Sequence, residues 1–328
     1  QTLNIDVNGA NDPSVFGGIA TANVAEDGTL SANGAVSVTD RDSGIAALNA
    51  QTNIAGIYGR FSIDANGAWT YSLNNAAANV QALTTGQNAT DSFTVSALDG
   101  TSRVVALTVS GANDAPVIVS SAPAIVYTDT VADDSFTPIT YTTSATDAEG
   151  DPLVWNIQSG TSAVTSLAGS FGTLTVSGST FTYTPNDGTV EALKSNARDS
   201  FTLQVSDGSV VRTQSLNIDL IGTNDPTAFS GNTVGNVAED GVVATGGTLI
   251  VSERDSGDAA ITGQPDTAGT YGRFSIDATG AWTYTLNNSA ANVQSLKAGQ
   301  SVTDSFTVFT AGGASQVITL NVAGNNDA

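Results

Sequence analysis

The chain contains no cysteine, no histidine and no methionine. Those zeros remove whole classes of chemistry. Without thiolate or imidazole ligands, zinc, copper and iron–sulfur centres have no usual donors. Ser–His–Asp and Cys–His nucleophile systems are excluded, and so is histidine acid–base catalysis. No disulfide can staple the fold, so an extracellular setting would require another staple. Basic residues are scarce as well. Lys and Arg total 9 against 31 Asp and Glu, for a formal charge of −22, and Lys194 and Lys297 are the only lysines. Nucleic acids and anionic membranes are held by Lys and Arg neutralising phosphate, so neither is expected as a partner. No run approaches about 18 consecutive apolar residues, so no membrane insertion is read. No basic segment with an apolar core opens the chain; it begins in what reads as mid-strand, like a piece of something longer.

What remains abundant is hard oxygen from Asp, Asn, Glu and backbone carbonyls, the ligand set of Ca2+. Hydrophobic residues make up 40% and charged residues 12% of the chain, which is too apolar for a disordered acidic tail. Thr and Val favour strands, while Gly, Asn and Asp favour turns. At roughly 100–200 residues per domain, this length accommodates two to three domains.

Internal repetition is the strongest signal. Residue i matches residue i + 213 from one end of the chain to the other without a gap. Tyr58-Gly-Arg-Phe-Ser-Ile-Asp-Ala-Asn-Gly-Ala-Trp-Thr-Tyr-Ser-Leu-Asn-Asn75 recurs as Tyr271 to Asn288 with two differences, Asn66/Thr279 and Ser72/Thr285. An Asn-Asp mark, often followed by Pro, falls at Asn11-Asp12, Asn113-Asp114, Asn224-Asp225 and Asn326-Asp327, with aspartate spacings of 102, 111 and 102. The order is therefore unit A (13–112), a divergent unit B (113–223) and unit A′ (224–328). Residues 1–8 match 214–221, the last strand of unit B, so 1–12 reads as the last strand of a preceding repeat plus a linker.

Alternation of period two predicts strands. Phe61 and Ile63 point one way, Asn66-Gly67 supplies a hairpin turn, and Trp69, Tyr71 and Leu73 return on the same face. Phe93 and Val95, then Val105, Leu107 and Val109, continue the pattern. No segment holds a helical period beyond a single turn near Asn79–Leu83. About seven short strands per 100 residues predict an all-β chain of tandem immunoglobulin-like sandwiches arranged as an extended rod. Trp69 and Trp282 read as core, since they alternate in register with Tyr and Leu.

The acids cluster. Beside the Asn-Asp linkers stand Asp40-Arg-Asp42, Asp147-Ala-Glu149-Gly-Asp151 and Glu253-Arg-Asp255. Glu26 and Glu239 lie near the start of each A unit, and Asp91, Asp199 and Asp304 open the Asp-Ser-Phe strands. Asp99 and Asp207 precede a turn. Calcium needs six to eight oxygens at about 2.3–2.6 Å, several of them carboxylates. An Asp-x-Asp spacing in an extended loop puts alternate carboxylates on one side, and Gly150 lets the backbone turn. Asp64, Asp187 and Asp277 read as ordinary turn formers. Arg41 and Arg254 read as local charge balance, and Arg60 and Arg273 as surface residues.

The Asn-Asp-Ala-Pro linker, the Asp-Ala-Glu-Gly-Asp-Pro-Leu loop and the Asp-Ser-Phe-x-x-x-x-Ser-Asp-Gly strand resemble bacterial cadherin-like repeats. The Glu-Asp-Gly start and the Tyr-Gly-x-Phe-Ser-Ile-Asp-Ala-x-Gly-Ala-Trp-Thr-Tyr stretch resemble VCBS repeats. The resemblance covers essentially the whole chain. It implies extender repeats of a giant, secreted, calcium-dependent adhesin of the repeats-in-toxin type on a Gram-negative surface, with calcium between successive domains. The partners implied are neighbouring repeats of the same chain, in a monomeric fragment. Carried over by position, Asn11 and Asp12 would meet Asp40, Asp42 and Asp99. Glu26, Asp91, Asn113 and Asp114 would meet Asp147, Glu149, Asp151 and Asp207. Asp199, Asn224 and Asp225 would meet Glu253 and Asp255, and Asp133 or Asp134 would be the unit-B counterpart of Glu26. Glu239, Asp304, Asn326 and Asp327 form the corresponding set at the end of unit A′. Gly312 stands where Asp99 and Asp207 do, which would leave the second junction one carboxylate short.

Three other roles compete with a calcium-stiffened spacer. A carbohydrate- or protein-binding adhesion module would need an exposed pocket, whereas the aromatics of the strong motif alternate inward. A paired-carboxylate glycosidase would have one site, whereas these acids recur in every unit, and no enzyme is expected. An ice-binding surface would need solenoid periodicity, which the short Thr-x-Thr runs lack.

Overall fold

The computed structural model describes residues 1–42, 46–255 and 257–326. Among these, helix is confined to three single turns, Ala78–Gln81, Asp187–Val190 and Ala291–Gln294, and the regular structure is otherwise strand. Three separate clusters of buried apolar side chains mark units A, B and A′.

Unit A runs β1 (Val15–Gly18), β2 (Thr21–Ala25), β3 (Ser31–Thr39), β4 (Gln51–Ala55), β5 (Gly59–Ile63), β6 (Ala68–Leu73), α1 (Ala78–Gln81), β7 (Asn88–Ser96) and β8 (Ser102–Ser110). One sheet has the order β1-β3-β6-β5-β4 and the other β2-β8-β7. Every ladder is antiparallel except β2 with β8, which run parallel from Thr21↔Ala106 to Ala25↔Ser110. Unit A′ repeats both sheets strand for strand, including the parallel pair Val234–Ala238 with Ser315–Ala323. Unit B keeps the parallel pair, Ile125–Thr128 with Val211–Ile221. The short ladder of Val117–Ile118 with Ala145–Thr146 is its counterpart of the β1–β3 pairing.

The alternation in the sequence explains the packing. Phe61, Ile63, Trp69, Tyr71 and Leu73 are buried from one sheet, and Phe93, Val95, Val105, Leu107 and Val109 from the other. The intervening Thr70 and Ser72 face solvent. Full burial of each large apolar side chain contributes about 1.5–3 kcal/mol. Phe61 stacks on Phe93 across the two layers with ring centroids 4.6 Å apart, and Phe274 does the same on Phe306 at 4.7 Å. The Trp69 indole Nε1 donates to the Ile19 carbonyl at 2.8 Å, and Trp282 donates to Asn232 at 2.8 Å. Both rings are therefore core, with their polar edges satisfied. Residues 1–13 carry no strand, and Leu3, Ile5 and Val7 are exposed, whereas the matching residues 214–221 lie within a paired strand.

The hairpin between β5 and β6 is tied by Asp64, whose Oδ1 accepts the N–H groups of Asn66 and Ala68, both at 2.9 Å. Gly67 has φ +87°, and a Cβ there would lie 1.9 Å from the Val36 carbonyl oxygen. Gly86 has a similar φ, +83°, in open space. Gly86→Ala is therefore expected to cost only the left-handed backbone, about 1–2 kcal/mol. Gly67→Ala is expected to cost clearly more, because β3 must move as well. Urea unfolding of the two variants measures the difference.

Candidate metal centres at the unit junctions

Each linker enters the next unit through the same set of contacts. The linker Asn donates its Nδ2 to the carbonyl of the following Asp, at 3.1 Å for Asn11, 2.8 Å for Asn113 and 3.2 Å for Asn224. The N–H of that Asp donates to the second acid of the downstream acidic loop. The pairs are Asp12 to Asp42 at 2.7 Å, Asp114 to Glu149 at 2.6 Å and Asp225 to Asp255 at 2.6 Å. The first acid is fixed from within the unit: Asp40 and Glu253 accept the hydroxyls of Ser14 and Thr227, and Asp147 accepts the N–H of Asp151. Asp99 accepts the N–H of Ser14 at 2.7 Å, and Asp207 accepts the Nδ2 of Asn113 at 2.9 Å. Hydrogen bonds, first among them that from the Thr101 hydroxyl, hold the Asp99 carboxyl down to about 2.

The unit before each linker contributes an acid from the residue after its parallel strand. Glu26 accepts the Ala112 N–H at 3.1 Å, and Glu239 accepts that of Asn325 at 3.0 Å. In unit B the same place is held by Asp129, which accepts the Thr223 N–H at 2.9 Å. The expectation of Asp133 or Asp134 is thereby corrected: Asp129 follows Ile125–Thr128 as Glu26 follows β2. Asp134 instead accepts the N–H of Thr130 and donates its own N–H to Glu191.

Asp91, Asp199 and Asp304 do not join these sets, which corrects the placement inferred from the resemblance. Asp91 is buried inside unit A, where it accepts the N–H groups of Ile57, Tyr58 and Gly59 and the Tyr71 hydroxyl at 2.8 Å. Asp199 binds the N–H groups of Ser170 and Phe171 and the Tyr183 hydroxyl. Asp304 binds those of Thr270 and Tyr271 and the Tyr284 hydroxyl. With their oxygens consumed, these aspartates latch a turn to the core. Burial, then the neighbouring carboxylate, drives each tyrosine far above its ordinary pKa.

Other groups enter the junctions that the spacing did not single out. Asp27, at φ +52°, sits beside Asp114 and exchanges hydrogen bonds with Asn75. Glu191 takes the place of Gln81, which in unit A donates to Glu26 at 2.9 Å. Asp129, Glu191 and Asp225 are all buried, and a carboxylate oxygen of each lies within 4.8 Å of the others. Asp258 packs against Gly312, where a Cβ would meet its Cγ at 2.5 Å, so a carboxylate fills the place that Gly312 leaves open. Asn326 lies at the end of unit A′, and Asp327 lies outside the described residues.

Carboxylate oxygens are left over at the junctions. Asp114 Oδ2, Asp147 Oδ2 and Glu149 Oε2 between A and B are buried with no hydrogen bond. So are Asp129 Oδ1, Glu191 Oε2, Asp225 Oδ1 and Asp255 Oδ1 between B and A′, and Glu239 Oε1 at the end of A′. Such oxygens are costly in a dry site unless a cation meets them. Burial raises the carboxyls of Glu26, Asp114, Glu149, Asp129 and Glu191 above their ordinary range, and neighbouring acids add to the effect. The donor set is all oxygen, drawn from two units and their linker. It fits a hard divalent cation such as calcium and offers no soft ligand.

The family described as "Bacterial cadherin-like domain" matches residues 11–111 and again 113–222. No curated protein matches the chain. Among solved structures, Drosophila N-cadherin EC1-4 is similar over 97% of this chain and 76% of its own, with 16% identity and a TM-score of 0.30. A protocadherin gammaB7 EC3-6 structure is similar over 95% and 74%, with 13% identity and a TM-score of 0.40. An I-band fragment of titin is similar over 97% and 100%, with 12% identity and a TM-score of 0.28.

Two outcomes follow from this geometry. Asp91→Ala strands four donors, so a loss of about 3–5 kcal/mol is expected, against about 1–2 kcal/mol for Tyr71→Phe, both read by denaturant unfolding. Glu26, Asp114, Asp129, Glu149 and Glu191 have carboxyls raised by burial above their unfolded values, so the folded chain takes up their protons first. Without metal, their contribution to stability therefore rises as pH falls from neutral towards the ordinary carboxylate range near ~4–5. Asp99 and Asp207, held down by hydrogen bonds, act in the opposite sense and lose their contribution only at lower pH. Melting curves in chelator are expected to be higher at about pH 5 than at neutral pH; in calcium the gap narrows, because protons displace metal.

Proposed function

This chain belongs to the bacterial cadherin-like domain family, and we propose that it is a spacer segment of an extracellular bacterial adhesin whose unit junctions bind calcium and are stiffened by it. The observation that carries this reading is the recurrence of buried carboxylate oxygens without a hydrogen bond at both internal junctions, from the linker and the following unit between A and B and from unit B as well between B and A′. A cation bound by all three parts ties two units to each other as well as to itself. Glu26, Asp114, Asp147, Glu149 and Asp207 are the proposed donors between A and B, with Asn113 positioning Asp207. Asp129, Glu191, Asp225 and Asp255 are proposed between B and A′.

The rest of the molecule is consistent with a passive, elongated role. The acids recur with each unit instead of converging in one cleft. The repeat aromatics are buried in the sandwiches, not displayed. The charge of −22 repels itself along the chain until cations offset it. No helix among the described residues is long and apolar enough to cross a membrane.

Calcium that binds the folded state alone stabilises it by about 2.7 kcal/mol at a hundredfold excess over the dissociation constant. Millimolar calcium is therefore expected to raise the melting temperature and to lengthen the particle seen by small-angle scattering relative to chelator. Glu149→Gln is expected to blunt both responses. A chain indifferent to calcium in both measurements refutes the reading.

A further inference from the structure

The two internal junctions differ in the cations they already contain. Arg254, in unit A′, places its Nε 2.8 Å from Asp225 Oδ2 and 3.3 Å from Glu191 Oε2 of unit B. Its Nη2 donates to the Val131 carbonyl of unit B at 2.7 Å. Lys194 of unit B reaches across the same junction to Asp258 of unit A′. Both acids that Arg254 meets are nearly inaccessible, with side chains 1% and 8% exposed, so their attraction to it is little screened.

Between A and B, both basic positions are neutral. The loop acid pairs align as Asp147/Glu149 with Glu253/Asp255, so Ala148 stands where Arg254 does. The helical turns align through Leu83, Leu193 and Leu296, each donating its N–H three residues back, so Thr84 stands where Lys194 does. Among the described residues, every ion pair that joins two units lies between B and A′.

We propose that the B–A′ junction is clamped by the chain's own cations, Arg254 and Lys194, and stays ordered without divalent metal, whereas the A–B junction is ordered only when a divalent cation is bound. This rests on the reading of the A–B acids as a calcium site. The clamp bridges the two units directly, from Arg254 to Glu191 and Val131 and from Lys194 to Asp258, and Arg254 also holds Asp225 of the linker. It also fills one face of the B–A′ acid cluster with positive charge and so weakens calcium there. Of the cluster, Asp129 Oδ1, Asp225 Oδ1 and Asp255 Oδ1 remain unpartnered, so a metal can still enter at higher concentration.

The test uses the full chain, whose lack of cysteine allows paired spin labels. Thr70→Cys with Thr175→Cys reports on A–B, and Thr175→Cys with Thr283→Cys reports on B–A′; all three positions are exposed strand residues. In chelator, the A–B distance distribution is expected to be broad and that of B–A′ narrow; calcium should narrow the first and leave the second nearly unchanged. Arg254→Gln combined with Lys194→Gln should broaden B–A′ in chelator and lower its calcium midpoint by about tenfold, while Arg254→Lys with native Lys194 keeps it narrow. Near-ultraviolet circular dichroism establishes that each variant is folded. Equal broadening of both junctions in chelator, with both narrowed by calcium, overturns the clamp and leaves the calcium reading intact. An A–B junction that ignores calcium overturns both.

Discussion

Carboxylates gathered into one dry space repel each other and forgo their hydration, and that cost has to be met from outside the acids themselves. This constraint shapes each junction of the chain. Linker N–H groups meet one oxygen of Asp42, Glu149 and Asp255, and N–H groups just upstream meet one oxygen of Glu26, Asp129 and Glu239. Backbone donors then run out: Gln81 meets the second oxygen of Glu26, while those of Glu149, Asp129, Asp255 and Glu239 are buried with no hydrogen bond. Positive charge is what such a cluster calls for, and between B and A′ Arg254 supplies part of it to units whose buried apolar clusters are separate.

The sandwiches themselves are built by different physics. Their cores are apolar and internally complete, with one buried acid apiece that is fully hydrogen-bonded to a turn and a tyrosine. Each unit thus has its own buried core, separate from the acids at its junctions.

The strand layout was legible because burial on one face leaves period-two alternation, and Phe61 through Leu73 shows it plainly. The linker sets were legible because the chain repeats them. Repetition, however, marks acids held inside a unit and acids at a junction alike, so it offered nothing against the resemblance that grouped Asp91, Asp199 and Asp304 with the junctions. The contrary signal lay in Tyr71, whose inward hydroxyl requires a buried acceptor. Asp129 was within reach of the spacing, since it lies fifteen residues after Asp114 as Glu26 lies fourteen after Asp12, whereas Asp133 and Asp134 lie nineteen and twenty after it. Glu191 and Asp258 reach their junctions through a helical turn and a loop, whose positions depend on packing instead of period.

The parallel pairing of β2 with β8 has a mechanical corollary. The chain enters unit A at one end and leaves at the other, and these adjacent strands lie near the entry and exit of the unit. Tension drawn along the string pulls the two strands past each other lengthwise. The rungs from Thr21↔Ala106 to Ala25↔Ser110 then share the strain together and are not opened one by one like a zip. All three units carry this pairing, so each resists stretching in the same manner.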